Sequence, residues 1–239
     1  MTVIFSYGLL AGLATTLGSL LFIVFGPPGR RSIGFALGLA SGVMLAVVVI
    51  DLVPTSLEHG GWTSCLLGMI IGCLLIKMAD ARLDKTENTV DSRAVFKKLG
   101  ILTALGIALH DLPEGMAIAL GYSATERLGP IIALAIGIHN IPEGIAITAP
   151  LRAAGVSMAK ILFLNLVVAL VTPAGTGAGL LLANQVPGCL SMMLGLASGT
   201  MTYLVASALA PAAFRTSTGP GLTGALAGTL LIVAVNQVL

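Results

Sequence analysis

Two short runs hold most of the side chains in this chain that could carry out chemistry. Residues 109–115 read LHDLPEG, and residues 138–144 read IHNIPEG. Together they contain two of the three histidines and three of the ten acidic residues. Both runs lie deep inside long hydrophobic segments, where polar groups are costly to bury and rarely lack a function. The pair is therefore the first candidate for a functional site.

Each run places a histidine four residues before a glutamate, so on an α-helix both side chains project from one face. The residue three positions before the glutamate lies at the edge of that face. Two such helices side by side would bring together two imidazoles, three carboxylates and one amide. This donor set suits zinc and tolerates iron, manganese or cadmium. The candidate metal ligands are His110, Asp111, Glu114, His139, Asn140 and Glu143.

A proline precedes the glutamate in each run. Pro113 and Pro142 have no backbone N–H, so they should free the carbonyl groups of Leu109 and Ile138. An opened turn inside a membrane is tolerated where it lines a polar site. We therefore expect a less rigid backbone beside the ligands, which suits a carrier.

The composition places these runs in a lipid bilayer. The chain has 239 residues, of which 56% are hydrophobic and only 9% charged, and its mean hydropathy is +1.03. These values are too apolar for a soluble domain and indicate an integral membrane protein. Nothing in the sequence suggests nucleic-acid binding. The three cysteines show no paired spacing and are interpreted as packing residues.

Hydrophobic runs of about 20 residues, enough to cross a bilayer as a helix, recur along the chain. They lack the alternating polarity of barrel strands. No basic cluster precedes the first run, which we expect to be a retained helix rather than a signal peptide. We predict an all-α polytopic membrane protein, with a single transmembrane domain over residues 1–239. Its eight transmembrane helices are predicted at 4–25, 33–53, 64–78, 99–121, 131–149, 159–183, 189–210 and 222–238.

Basic residues predict the orientation, because they concentrate on the cytoplasmic side of a membrane protein. With the N-terminus outside, eleven of the twelve Lys and Arg fall on the inner side, and only Arg127 falls on the outer side. Both termini are therefore predicted to lie outside. The one hydrophilic connection, 79–95, mixes charges of both signs and is predicted to be a solvated cytoplasmic loop between the third and fourth helices.

An internal repeat predicts the architecture. Residues 38–44, GLASGVM, are followed ten residues later by Pro54, and residues 195–201, GLASGTM, are followed ten residues later by Pro211. Under the predicted orientation the second and seventh helices run in opposite directions. Helices 1–3 and 6–8 would then form an inverted repeat around helices 4 and 5, a 3+2+3 arrangement. Such repeats are typical of transporters, whose substrate site lies near the midplane.

Three polar residues outside the two runs are further candidates for a transport path. Asp51, near the outer end of the second helix, is either an interfacial helix-end residue or part of that path. Glu58 and His59 either capture metal at the outer mouth or belong to a solvated loop. The residues alone leave these alternatives open.

The paired His-x-x-Pro-Glu-Gly runs, the eight predicted spans and the second helix ending in Asp-Leu-Val-Pro at 51–54 resemble the ZIP (Zrt/Irt-like) family of divalent metal transporters, nearest to its bacterial members. The resemblance covers essentially the whole chain. It implies uptake of zinc, and often of iron or other divalent ions, into the cytoplasm through a binuclear site between the fourth and fifth helices. It assigns one metal position to His110, Glu114, His139 and Glu143, and a second to Asp111 and Asn140 with the two glutamates bridging.

The chain departs from the family pattern at three places. Family members often carry asparagine on the fourth helix and aspartate on the fifth, whereas Asp111 and Asn140 are exchanged here. Many relatives have a glutamate before the proline of the sixth helix, where this chain has Thr172, which we include in the transport path. The seventh helix often ends with an acidic residue near its proline, but here it reads Ala-Leu-Ala-Pro at 208–211. These differences weaken the second metal position more than the first.

The sequence therefore predicts a carrier, not an enzyme, that moves divalent metal, zinc first, across the inner (plasma) membrane into the cytoplasm. Two alternative functions stay open: an intramembrane metal-dependent hydrolase and a metal sensor that binds metal without transporting it. The chain has no HExxH motif to support the hydrolase. The expected partners are divalent metal ions and the lipid bilayer, without nucleic acid. Small residues at 175–179 permit close helix packing within or between protomers, so a homodimer is a further alternative.

Overall fold

A computed structural model describes residues 2–24, 29–86, 91–182 and 189–238 of the chain, and these are almost entirely helical. Seven stretches among them are long and apolar enough to cross a membrane. The prediction of an all-helical membrane protein is confirmed. The helices are α1 (Thr2–Val24), α2 (Arg30–Val47), α3 (Val53–Thr86), α4 (Ser92–Ala124), α5 (Leu128–Ala153), α6 (Met158–Ala169), α7 (Val171–Leu182), α8 (Cys189–Leu204), α9 (Ala210–Thr216) and α10 (Thr218–Val238).

The second of the seven stretches, Arg30–Asp84, is 55 residues long. A straight helix of this length would measure about 80 Å, whereas the hydrocarbon core of a bilayer is about 30 Å thick. The stretch is interrupted at Gly61, which has φ 70° and ψ −176°. Glycine adopts this positive φ because it lacks a Cβ atom. The stretch contains both predicted spans 33–53 and 64–78. The predicted span ends Phe25 and Ala183 lie outside the described residues.

The polar interval 79–95 differs from the prediction of a loop, because helix occupies both of its ends. Helix α3 continues to Thr86, and α4 begins at Ser92. The Asp91 carboxylate caps α4 by accepting a hydrogen bond of 3.0 Å from the backbone N–H of Arg93. Falling hydropathy marks where a helix leaves the membrane, but it does not mark where the helix ends. Residues 87–90 lie outside the described part of the chain, and the cytoplasmic placement stays a prediction.

The sequence repeat has a direct counterpart in local structure. A π-helical turn, Val48–Leu52, joins α2 to α3, and a second one, Val205–Leu209, joins α8 to α9. The two turns are 157 residues apart, the same offset that relates residues 38–44 to residues 195–201. Each turn ends two residues before the proline of its repeat. Because a proline ring clashes with the carbonyl four residues earlier, the wider hydrogen-bond ladder of a π-turn relieves that clash.

Helix packing follows the same repeat. Helix α2 packs against α10, and α3 packs against α8. A Cβ atom on Gly38 would collide with the Gly221 carbonyl, and one on Gly195 would collide with the Cys65 carbonyl. Small residues thus bring the backbones of both helix pairs into contact, as is typical of helices within membranes.

Helices α4 and α5 lie side by side at the centre of a second group. Helix α1 packs against α5, and α7 packs against α4. Both central helices run through the prolines of their motifs, Pro113 in α4 and Pro142 in α5. The two polar runs are therefore held on continuous helices that face each other.

Candidate metal site

All six candidate ligands lie in the interior of the helix bundle. Each is at most 5% exposed, although five of the six side chains can carry a charge. Charged groups at such depth require partners or a bound ion to offset the loss of hydration. The structure brings the side chains of the two runs together between α4 and α5.

The histidine of each helix pairs with the glutamate of the other helix. The Nε2 atom of His139 lies 3.0 Å from Oε2 of Glu114. The Nε2 atom of His110 lies 3.2 and 3.3 Å from the two carboxylate oxygens of Glu143. An imidazole nitrogen and a carboxylate oxygen are also the donor atoms that zinc prefers. Both crossed pairs therefore present zinc-type ligands across the interface between α4 and α5.

Asp111 belongs to the same cluster. Its Oδ1 atom lies 3.7 Å from Nε2 of His110. Ligand atoms of His110, Asp111 and Glu143 all lie within 4.8 Å of one another, a spacing compatible with one metal ion. Both carboxylate oxygens of Asp111 lack a hydrogen-bond partner among the described residues. This buried aspartate thus has its full ligand capacity available.

Asn140 is oriented by a neighbouring helix. Its Nδ2 atom donates a hydrogen bond of 2.9 Å to the backbone carbonyl of Ala11 in α1. Its Oδ1 atom has no partner among the described residues, and the same is true of Oε1 of Glu114. The contact with α1 therefore fixes the amide while leaving an oxygen free to act as a ligand.

Glycines next to the ligands bring the outer helices close. A Cβ atom on Gly115 would collide with the Thr172 carbonyl of α7, and one on Gly144 would collide with the Thr15 carbonyl of α1. Each glycine directly follows a ligand glutamate. The glycines of the two motifs therefore let α1 and α7 support the ligand-bearing turns from behind.

A cavity of about 460 Å³ leads to the site from one end of the bundle. Glu114 and His139 line it, together with Asp51 and His59. The Asp51 carboxylate accepts a hydrogen bond of 2.7 Å from Nδ2 of Asn236, a residue that the sequence analysis did not single out. The structure thus joins two of the path candidates to the ligand cluster through one cavity.

The other two path candidates lie elsewhere. Glu58 is exposed and stands outside the lining of this cavity. Thr172 is fully buried in α7, where its carbonyl contacts α4 at Gly115. Its hydroxyl has no hydrogen-bond partner among the described residues. Thr172 is therefore placed behind the ligand helices and away from the cavity.

A second cavity, of about 610 Å³, lies at the opposite end of α4. Basic side chains Arg30, Lys98 and Arg215 line it, and Asp80 is its one carboxylate among the described residues. Lys98 forms ion pairs of 2.6 Å with Asp80 and 2.5 Å with Asp84. None of the six candidate ligands lines this second cavity. Of these two cavities, only the first is therefore lined by candidate ligands.

Thr15 was missed by the sequence analysis. It lies in α1 and is fully buried, its backbone carbonyl contacts α5 at Gly144, and its hydroxyl has no hydrogen-bond partner among the described residues. The signal that could have found it is its separation of 157 residues from Thr172, which is the offset of the repeat.

The fold and the cluster define a class of protein: a multi-pass helical membrane protein with a buried imidazole and carboxylate group compatible with a metal ion. Residues 79–236 match the family model described as ZIP Zinc transporter. The chain is 32% identical to zinc transporter ZupT of Corynebacterium efficiens over 98% of this chain and 96% of that protein. It is 33% identical to ZupT of Xanthomonas axonopodis pv. citri over 97% and 92% of the two chains. The chain belongs to the ZIP family, and the resemblance stated from the sequence is confirmed.

Proposed function

We propose that this protein carries zinc through the membrane into the cytoplasm, and that the metal binds between α4 and α5. The observation that carries the proposal is the pair of crossed contacts, His139 with Glu114 and His110 with Glu143. Relatives that are named as zinc transporters align with this chain over nearly their whole length, which supports zinc as the substrate. Iron, manganese and cadmium, which accept the same donors, are proposed as secondary substrates.

The six buried residues would form two adjacent ion positions. His110, Glu114, His139 and Glu143 would hold the first ion, with the carboxylates offsetting its charge in a medium of low dielectric constant. Asp111 and Asn140 provide oxygen ligands to a second position, which the glutamates would share. Because the ligands are side chains on two helices, the ion can be released when those helices move relative to the rest of the bundle.

We propose eight spans in a 3+2+3 arrangement, with both termini outside and the chain in the inner membrane. The stretch Arg30–Asp84 would form two of the spans, separated at Gly61, because one span cannot use 55 residues. The equal spacing of the π-turns and the matched packing of α2 with α10 and of α3 with α8 support an inverted repeat. Repeats of this kind suit rocking of one bundle against another around a central site.

The two cavities suggest the direction of transport. The first cavity carries Asp51 and His59 and ends at Glu114 and His139, so it would attract a cation toward the ligands. Glu58, exposed beside His59, would add to this attraction at the mouth. At the position related to Asp51 by the repeat, the second cavity carries Ala208 and is surrounded by basic residues. A metal ion that reached it would be bound weakly and released.

The symmetry of the site favours a carrier over an enzyme. A metal hydrolase needs a general base, a bound water and a substrate pocket in distinct positions. Here two equivalent imidazole and carboxylate pairs face each other, which suits an ion that is bound and released. A flux measurement also separates a carrier from a sensor that only binds.

The test is zinc uptake by proteoliposomes that contain a zinc-responsive dye. We expect uptake by the unaltered protein and background uptake by the double variant His110→Ala plus His139→Ala. The control is Glu126→Gln, which changes an exposed carboxylate in the connection between α4 and α5. Equal uptake by the double variant and the unaltered protein would refute the proposal.

A further inference from the structure

The second cavity combines exposed arginines with an apolar wall. Arg30, the first residue of α2, and Arg215, in the last turn of α9, both line it. The apolar side chains of its wall come from α2 and α4 and are Ile33, Val95, Phe96, Leu99 and Leu102. Val95 is 59% exposed, so part of this wall is open. A cavity with both features fits a ligand that has an anionic part and an apolar part.

The lysine of this cavity is already neutralised. Lys98 forms its ion pairs with Asp80 and Asp84, and the Tyr203 hydroxyl donates a further hydrogen bond to Asp80. Two carboxylates on one ammonium group leave it no charge to offer another anion. An anionic ligand would therefore bind at the arginines.

The two arginines have free charges and meet at one place. Neither has a carboxylate partner among the described residues. The Nε atom of Arg30 donates a hydrogen bond of 3.3 Å to the backbone carbonyl of Thr216, the residue that follows Arg215. This bond holds the Arg30 side chain at the end of α9 and leaves its two terminal NH₂ groups available. Guanidinium groups bind phosphate oxygens through paired hydrogen bonds.

The position of the arginines along the helices indicates the source of the phosphate. The membrane-crossing stretch Arg30–Asp84 begins at the first arginine, and the stretch Cys189–Thr216 ends one residue after the second. Both side chains therefore lie at the edge of the hydrocarbon core, where lipid phosphates lie, and the apolar wall continues into the core. Basic pockets between transmembrane helices on the cytoplasmic side are typical sites for anionic lipid headgroups. A free phosphate ion would leave the apolar wall uncovered.

We propose that this cavity binds one anionic phospholipid, with its phosphate held by Arg30 and Arg215 and the start of an acyl chain against Val95 and Phe96. The lipid would contact α2, α4 and α9 at once. It is a ligand separate from the transported metal. Only its assignment to the inner leaflet rests on the proposed orientation of the chain, because binding in detergent does not depend on orientation.

The test is native mass spectrometry of the purified full-length protein, which counts bound lipid molecules. The probes are phosphatidylglycerol, which is anionic, and phosphatidylcholine with the same acyl chains, which is zwitterionic. We expect one phosphatidylglycerol per chain at concentrations where phosphatidylcholine is not retained. The double variant Arg30→Gln plus Arg215→Gln should weaken this binding about thirtyfold, because each basic residue beside an anionic lipid contributes about fivefold. Val95→Ser should weaken it severalfold, since it removes apolar contact with the acyl chain.

The matched control is Arg31→Gln. Arg31 is the next residue of α2 and is exposed, but it stands outside the lining of the cavity. At an ionic strength of about 0.15 M, charges more than about 8 Å apart are largely screened, so this variant should bind phosphatidylglycerol within about twofold of the unaltered protein. A single symmetric peak in size-exclusion chromatography shows that each variant is folded.

Equal retention of the two lipids would overturn the proposed site, and so would equal losses in Arg31→Gln and the double variant. Displacement of phosphatidylglycerol by inorganic phosphate at equal concentration would assign the arginines to a free anion and overturn the lipid assignment. None of these outcomes bears on zinc uptake, which tests the proposed function separately.

Discussion

The imidazole of His139 and the carboxylate of Glu114 meet across two helices, with Nε2 and Oε2 3.0 Å apart. The reciprocal contact joins His110 to Glu143 at 3.2 Å. Each histidine is thus paired with the glutamate of the opposite run. Each run therefore supplies its histidine to one contact and its glutamate to the other. A cation placed between the helices would be bound from both sides at once.

Loss of one carboxylate should weaken zinc binding strongly. Glu114→Gln keeps the shape of the side chain but removes the charge that faces His139. Removing one member of a buried charged group typically costs about 3 kcal/mol, which corresponds to about a hundredfold in affinity. Titration calorimetry of the purified protein measures this change. Glu126→Gln, the same substitution at an exposed position, should leave zinc affinity within about twofold.

The close contacts of α4 with α7 and of α5 with α1 predict a loss of stability when either is widened. An alanine at Gly115 would collide with the Thr172 carbonyl, and one at Gly144 with the Thr15 carbonyl. Overpacking of this kind typically costs about 1–3 kcal/mol. Both variants should therefore melt at lower temperature in a thermal unfolding assay and lose zinc binding.

The control for that pair is Gly177→Ala. Gly177 lies in α7, and nothing lies within 4 Å of the position that its Cβ atom would take. Because alanine is the better helix former, this variant should be as stable as the unaltered protein or slightly more stable. A melting temperature that fell equally in all three variants would contradict the packing argument.

Asp51 should affect the capture of metal more than its binding at the site. Its carboxylate lines the cavity that leads to Glu114 and His139. Asp51→Asn removes this charge and should raise the KM for zinc uptake severalfold, because a cation would be less concentrated in the cavity. Calorimetric zinc affinity at equilibrium should change much less than KM. An unchanged KM would remove Asp51 from the transport path.

The ion pairs of Lys98 predict which end of the protein is closed. They join α4 to the far end of α3 through Asp80 and Asp84, and the Tyr203 hydroxyl of α8 donates a 3.0 Å hydrogen bond to Asp80. Lys98→Gln should loosen this end and speed the labelling of a cysteine placed at Ala208, which lines the second cavity. The measurement uses a thiol reagent on protein whose native cysteines are replaced by alanine. Equal labelling rates with and without Lys98 would show that these ion pairs do not close the cavity.

Much of the helical content followed from the sequence, because hydrophobic runs and the spacing of four residues in each motif report on single helices. The crossed pairing did not follow, since spacing places His110 beside Glu114 on one helix, and only the packing of α4 on α5 sets it opposite Glu143. Helix ends also escaped prediction around residues 79–95, where charged residues continue the helices beyond their apolar parts. Thr15 carries no motif of its own, and its contact with Gly144 depends on how α1 packs against α5.

The most direct test of the central claim is the X-ray absorption spectrum, at the zinc edge, of purified protein that carries one zinc ion per chain. We predict two imidazole nitrogens and carboxylate oxygens at about 2.0–2.2 Å, with no sulfur ligand. The variant His110→Ala should show one imidazole fewer. Sulfur from any of the three cysteines in the first shell, or an imidazole count that stays the same in the variant, would contradict a zinc site formed by the two runs.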